Sequence, residues 1–166
     1  MLGRQSIEQV YRAHGHSVLR RAARLLGNEA DAREALQEVF ASLLERPEQF
    51  QGTSSLTTWL YSATTNLCLN KLRDGKTRSR LLHERVAPAR ADAVPPSAEA
   101  SALVRDLLAK LPEDLATAAV YYYLDDMTHE EIAAVMGCSR RHVGNLLDRL
   151  KTWAASHEEG EPCDLS

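Results

Sequence analysis

A chain of 166 residues, 44% hydrophobic and 26% charged, has the composition of an ordinary folded protein, with room for one domain or two small ones. Its net charge of −3 speaks against a protein that coats nucleic acid, and its apolar runs fall far short of the ~20 residues that cross a bilayer. The opening MLGRQSIEQV has no apolar signal core, and Cys68, Cys138 and Cys163 have neither disulfide-framework nor metal-ligand spacing, so the expected compartment is the cytoplasm.

Ile7, Val10, Tyr11, Val18, Ala22, Leu25 and Leu26 recur at three- and four-residue steps and predict a first helix, stopped by Gly27-Asn28. Ala32, Ala35, Leu36, Val39, Phe40, Leu43 and Leu44 predict a second, ended by Pro47. A third, over 55–73, is apolar on more than one side through Leu56, Trp59, Leu60, Ala63, Leu67 and Leu72, as expected of a helix packed between neighbours. Residues 86–101, VAPARADAVPPSAEAS, have no periodicity and read as a linker extended around Pro95-Pro96. Leu103, Leu107, Leu108 and Leu111 mark a fourth helix, the segment from Pro112 through Leu124 a fifth, and a helix pair follows. The predicted fold is all-α: two small helical domains, 1–85 and 102–155, joined by a Pro-rich linker, with a disordered acidic tail over 156–166. Domains of this size bury proportionally little surface, which favours a protein that works within a complex.

The helix pair carries the most specific local signal. Thr128 and Glu131 have capping-box spacing, and Ile132, Ala133 and Met136 form an inner face. Gly137 allows a sharp turn, Ser139 can cap the next helix, and Val143, Leu146, Leu147 and Leu150 line its inner side. Arg140, Arg141, His142, Asn145, Asp148 and Arg149 point outward, and guanidinium and amide groups there can reach phosphates or base edges in a major groove. Gly144 costs ~1 kcal/mol relative to alanine, either for close approach to a DNA backbone or simply as a tolerated residue.

Charge is unevenly spread. Residues 1–87 carry 13 Lys/Arg against 9 Asp/Glu, and residues 128–166 carry 4 against 7. A nucleic-acid surface must therefore be a face and not the whole chain. On the second helix Glu34, Gln37 and Glu38 make a polar stripe opposite the apolar one. Trp59 and Tyr61 offer π-faces on which an unpaired base could stack, Trp59 being placed rather with the core, and Asn66 can bond a base edge. Lys71, Arg73, Lys76, Arg78, Arg80 and Arg85 put six cations in 15 residues, a strip that could track phosphates. His14 and His16 have no further ligands nearby, no nucleophile has a base and orienting partner, and no glycine-rich phosphate loop occurs. No metal, no cofactor and no enzyme are expected.

From about Ile7 to Ala155 the chain resembles the ECF (extracytoplasmic function) sigma factors, the two-domain subunits that direct bacterial RNA polymerase to promoters. The resemblance rests on DAREALQEVF (31–40), FQGTSSLTTWLYSATTNLCLNKLRD (50–74) and LPEDLATAAVYYYLDDMTHEEIAAVMGCS (111–139), in that order. It implies a sigma-2-like bundle and a sigma-4-like helix-turn-helix domain. Glu34, Gln37 and Glu38 would dock on the clamp helices of the polymerase largest subunit, Glu34 standing where the family usually has Asp. The loop Gly52-Thr53-Ser54-Ser55 would read an unpaired base of the −10 element, with Asn66 holding its neighbour. Ser139, Arg140, Arg141, His142, Asn145 and Arg149 would face the −35 element. Where the family often has Thr-Val-Lys-Ser-Arg, this chain has His142-Val143-Gly144-Asn145-Leu146, two cations fewer. The resemblance also implies contact with the polymerase flap, an anti-sigma factor as a further partner, and a monomer when free. Two other classes stand beside it: a self-sufficient dimeric helix-turn-helix regulator on a palindromic site, and a helical adaptor with no DNA role.

Overall fold

The computed structural model describes residues 4–50, 55–83 and 96–158, and among these no strand occurs. The chain divides into two compact units, residues 1–110 and 111–166.

In the first unit, α1 (Arg4–Leu26) ends at Gly27, whose φ of +80° is a left-handed value that other residues adopt at a cost. Asn28 then caps α2 (Glu29–Glu45), its side-chain oxygen accepting from the Asp31 backbone N–H at 2.8 Å, with Glu29 and Asp31 in the first turn against the positive end of the helix dipole. Pro47–Gln49 forms a short 3-10 turn, and α3 (Leu56–His83) follows. The core joins Ile7, Val10 and Val18 of α1 to Leu36, Val39, Phe40 and Leu43 of α2 and Leu60 of α3, with Trp59 packed half-buried against it. Thr64 and Thr65 are buried on α3 because each hydroxyl donates to a carbonyl one turn back, Leu60 at 2.6 Å and Tyr61 at 2.8 Å. Cys68 is buried as a small hydrophobe, and desolvation pushes its thiol up to about 12.

Three sequence expectations change here. Tyr11 and Leu44 sit at the edges of their stripes and are exposed, Tyr11 meeting Phe40 edge-on at 5.0 Å. α3 runs ten residues past the expected end at 73, through Gly75, because one glycine weakens a helix by only ~1 kcal/mol. Residues 96–101, expected in an extended linker, form the first turns of α4 (Pro96–Lys110). Proline suits a first helical position, where its missing N–H has no partner to lose, and Glu99 supplies first-turn acidity. α4 packs against α3, burying Leu108 and leaving Leu103 and Leu107 exposed.

The second unit starts with α5 (Glu113–Ala119), which passes into a π-helical turn at Val120–Leu124. Then come α6 (His129–Met136) and α7 (Arg140–Glu158). Leu115, Tyr121, Ile132, Val143, Leu146 and Leu147 are all buried, while Met136 is only half-buried. The capping box is complete: Thr128 Oγ1 accepts from the Glu131 N–H at 3.2 Å, and Glu131 Oε2 accepts from the Thr128 N–H at 2.7 Å. Thr128→Ala is expected to cost about 1 kcal/mol, read from thermal melts of this unit. The bonds from the Thr128 amide and hydroxyl hold the Glu131 carboxyl below the usual carboxylate range. A lowered folded-state pKa stabilises above the ordinary carboxylate value and loses that effect as pH falls through the lowered one. Acidification should therefore remove the part of the stability that comes through Glu131, and a Glu131→Gln variant should lose less on acidification than the parent. Gly137, at φ +68°, ends α6, and Ser139 Oγ accepts from the His142 N–H at 3.1 Å to open α7.

Candidate nucleic-acid interface

On the first unit, Glu34, Gln37 and Glu38 all lie exposed on α2, on the side away from Ala35, Leu36 and Val39. The stripe is not isolated. Lys71, from α3, donates to Glu38 Oε1 at 2.6 Å and to Glu34 Oε1 at 3.2 Å. Burial opposes the charge on Lys71, but its hydrogen bonds to Glu38 and Glu34 outweigh that effect and raise its pKa. A residue expected on the DNA strip is thus held on the carboxylate stripe of α2.

Gly52, Thr53 and Ser54 lie outside the described residues, and so do Arg85 and the side chains of Lys76, Arg78 and Arg80, whose backbone is in α3. Ser55 caps α3: its Oγ accepts from the Thr58 N–H at 3.1 Å. Trp59 belongs with the core, as its neighbours suggested. Tyr61 is half-buried, and the Arg21 guanidinium lies 3.6 Å from its ring centroid while also donating to Thr65 Oγ1 at 2.8 and 3.0 Å. One π-face is therefore already occupied, and stacking a base on it requires displacing a cation. Sequence reasoning missed Arg21. Its one signal, a cation three residues after Val18 on the buried side of α1, gives no hint of its partner. Asn66 is exposed on α3, and Arg73 is half-buried with Nη1 donating to Asn70 Oδ1 at 3.0 Å. His14 lines a notch between α1 and α3 with Val18, Leu60 and Tyr61, and no group of three or more metal-ligating side chains occurs among the described residues.

On the second unit, Ser139, Arg140, Arg141, His142, Asn145 and Arg149 are all exposed on or at the start of α7. Arg140 pairs with Glu130 of α6 at 3.1 Å, and Arg149 with Asp114 of α5 at 3.2 Å. Both pairs are exposed and contribute little to stability. They do compete for two of the cations expected at DNA. Arg141, His142 and Asn145 stand on the outer side of the helix, opposite Val143, Leu146 and Leu147. Leu146, where the family pattern has a cation, is fully buried and packs in the core. A Cβ added at Gly144 would meet no atom within 4 Å, so packing does not require the glycine. Gly144→Ala is expected to stabilise this unit by about 1 kcal/mol in denaturant unfolding.

A core-packed helical unit with an exposed carboxylate stripe, followed by a capped helix-turn-helix with basic residues on its outer face, defines a two-unit, all-helical protein. The comparisons specify its kind. The family models for Sigma-70 region 2 and Sigma-70 region 4 match residues 10–78 and 101–152. The ECF RNA polymerase sigma-E factor of Haemophilus influenzae is 31% identical over 133 residues, covering 72% of this chain and 69% of that protein. SigE of Mycolicibacterium smegmatis is 32% identical over 166 residues, covering 92% of this chain, which spans only 63% of that relative's length. Among solved structures, CnrH in complex with the cytosolic domain of CnrY aligns at TM-score 0.49 and 20% identity over 96% of this chain and 92% of that one. The chain belongs to the ECF sigma factors, which are transcription initiation factors and not enzymes. The family model for region 4 begins at residue 101, within α4, whereas the contacts of α4 lie with the first unit.

Proposed function

We propose that this chain directs a bacterial core RNA polymerase to promoters from the cytoplasm, with no membrane insertion and as a monomer when free. The first unit binds the polymerase clamp helices through Glu34, Gln37 and Glu38 and opens the −10 element. The loop at 52–55 captures an unpaired base, with Asn66 and the cations from Lys71 to Arg80 along the strand. Flipping a base costs a few kcal/mol, and stacking or enclosing it returns ~1–3 kcal/mol, so differential binding of unpaired DNA shifts the duplex toward the open state. The helix-turn-helix unit holds the −35 element through Arg141, His142 and Asn145 and contacts the flap, while residues 86–95 connect the two. An anti-sigma factor that masks both units fits this plan.

The observation that carries the reading is the order of the two sigma regions along one chain, the first within the unit 1–110 and the second mostly on the unit 111–166. Transcription with sigma-free core polymerase on a library of promoter fragments tests it. Discrete transcripts that depend on this protein are expected. A homodimer that binds a palindrome without polymerase would overturn the proposal.

A further inference from the structure

The ion pairs around Lys71 join two surfaces that the proposed function uses separately. Lys71 sits on the helix expected to follow the opened DNA strand, yet its ammonium lies between two carboxylates of the polymerase-docking stripe. Lys71 is 21% exposed, against 62% for Glu34 and 44% for Glu38. The acids are therefore open to a partner from outside, while the lysine is held beneath them by its stem. Lys71 also lines a cleft with Asp31, Arg105 and Asp106, while the carboxylates it bonds are Glu34 and Glu38. A protein surface that binds Glu34 and Glu38 must offer hydrogen-bond donors or cations of its own, and these compete with Lys71 for the same oxygen atoms.

We propose that Lys71 is a hand-over cation: it neutralises Glu34 and Glu38 in the free protein and is released to a DNA phosphate when polymerase takes those carboxylates. The inference rests on the docking role proposed above. Before docking, the lysine is withheld from DNA, and the stripe is shielded from other cations. After docking, one more positive charge faces the strand. Such coupling is reciprocal, so DNA bound at Lys71 must strengthen polymerase docking by the same factor that polymerase strengthens DNA binding.

The test measures the affinity of full-length protein for core polymerase, with and without a forked DNA carrying single-stranded −10 sequence. Parent, Lys71→Met and Glu34→Lys/Glu38→Lys proteins are compared. Methionine keeps the apolar stem and removes the charge. Without DNA, Lys71→Met is expected to bind polymerase about threefold more tightly, because a competitor for the carboxylates is gone. It should also lose part of the gain that DNA confers, with a salt slope for DNA binding smaller by about one. Weaker or unchanged polymerase binding by Lys71→Met would show that the lysine only braces the stripe, and would overturn the hand-over. So would tighter binding with undiminished DNA gain. The double lysine variant reports on docking alone: if it still captures polymerase, the docking role fails, whatever Lys71→Met does. Amine-reactive labelling of the parent, read at Lys71 by mass spectrometry, needs no variant to fold. Reactivity that rises on polymerase binding and falls again on adding the forked DNA is expected. Protection in all three states overturns the proposal.

Discussion

Combining Glu34→Lys, Gln37→Ala and Glu38→Lys is expected to lower capture of sigma-free core RNA polymerase at least a hundredfold while leaving the fold of α2 in place. The three side chains are exposed, so none contributes packing to the core beneath them. Ala35, Leu36, Val39, Phe40 and Leu43, which do pack, are untouched. Hydrogen bonds to charged groups contribute ~1.5–3 kcal/mol each, so losing two and adding repulsion exceeds the ~2.7 kcal/mol that a hundredfold represents. The variant also sets two new cations beside Lys71, which loses both of its bonded carboxylates. Glu34 and Glu38 are exposed, so solvent screens their pairs with the half-buried Lys71, and a fall in melting temperature is expected, not unfolding. Circular dichroism melts separate the two effects. Full capture by a folded variant would remove α2 from the interface.

Ile132→Ala is expected to have the largest effect on the second unit. Ile132 has no exposed surface and packs in the core of the helix-turn-helix. Truncating a buried isoleucine costs 2–5 kcal/mol through lost transfer energy and the cavity left behind. A unit the size of residues 111–166 has roughly 3–8 kcal/mol of stability in total, so most of it is removed. Thermal unfolding should show this unit melting far earlier than in the parent, with the first unit unchanged. Transcription from promoters that depend on a −35 element should fall more than tenfold at the growth temperature and recover on cooling. Arg141→Ala gives the contrast. It should weaken −35 binding by ~1–3 kcal/mol with no shift in melting, since Arg141 is exposed on the outer side of α7. If both variants lost stability alike, the assignment of inner and outer faces on this helix pair would be wrong.

Much of this arrangement was legible from residues alone, because its physics is local. Gly27-Asn28, Pro47, the Thr128–Glu131 box, Gly137 and Ser139 act within a turn of themselves, and each bounds a helix as its chemistry dictates. The three-and-four spacing of apolar residues on α2 and α7 likewise selects one inner face, and the motif order along the chain was enough to point to the family. Periodicity does not say how far a helix is rotated, or which neighbour meets it. That is why Tyr11 and Leu44 fall outside the core, and why α4 buries Leu108 and exposes Leu103 and Leu107. The long-range polar contacts were hidden for a further reason. Lys71 lies 33 and 37 residues from its two carboxylates, and Arg21 lies 44 from Thr65. Long flexible stems can carry those charged ends to many places. Sequence by itself determined the order of the helices, their caps and the family, but not where α3 ends or where α4 begins. Only the packing of α1, α2 and α3 decided that a cation counted toward DNA would sit on Glu34 and Glu38, because a charge finds its partner through the register of whole helices and not through its neighbours in the chain.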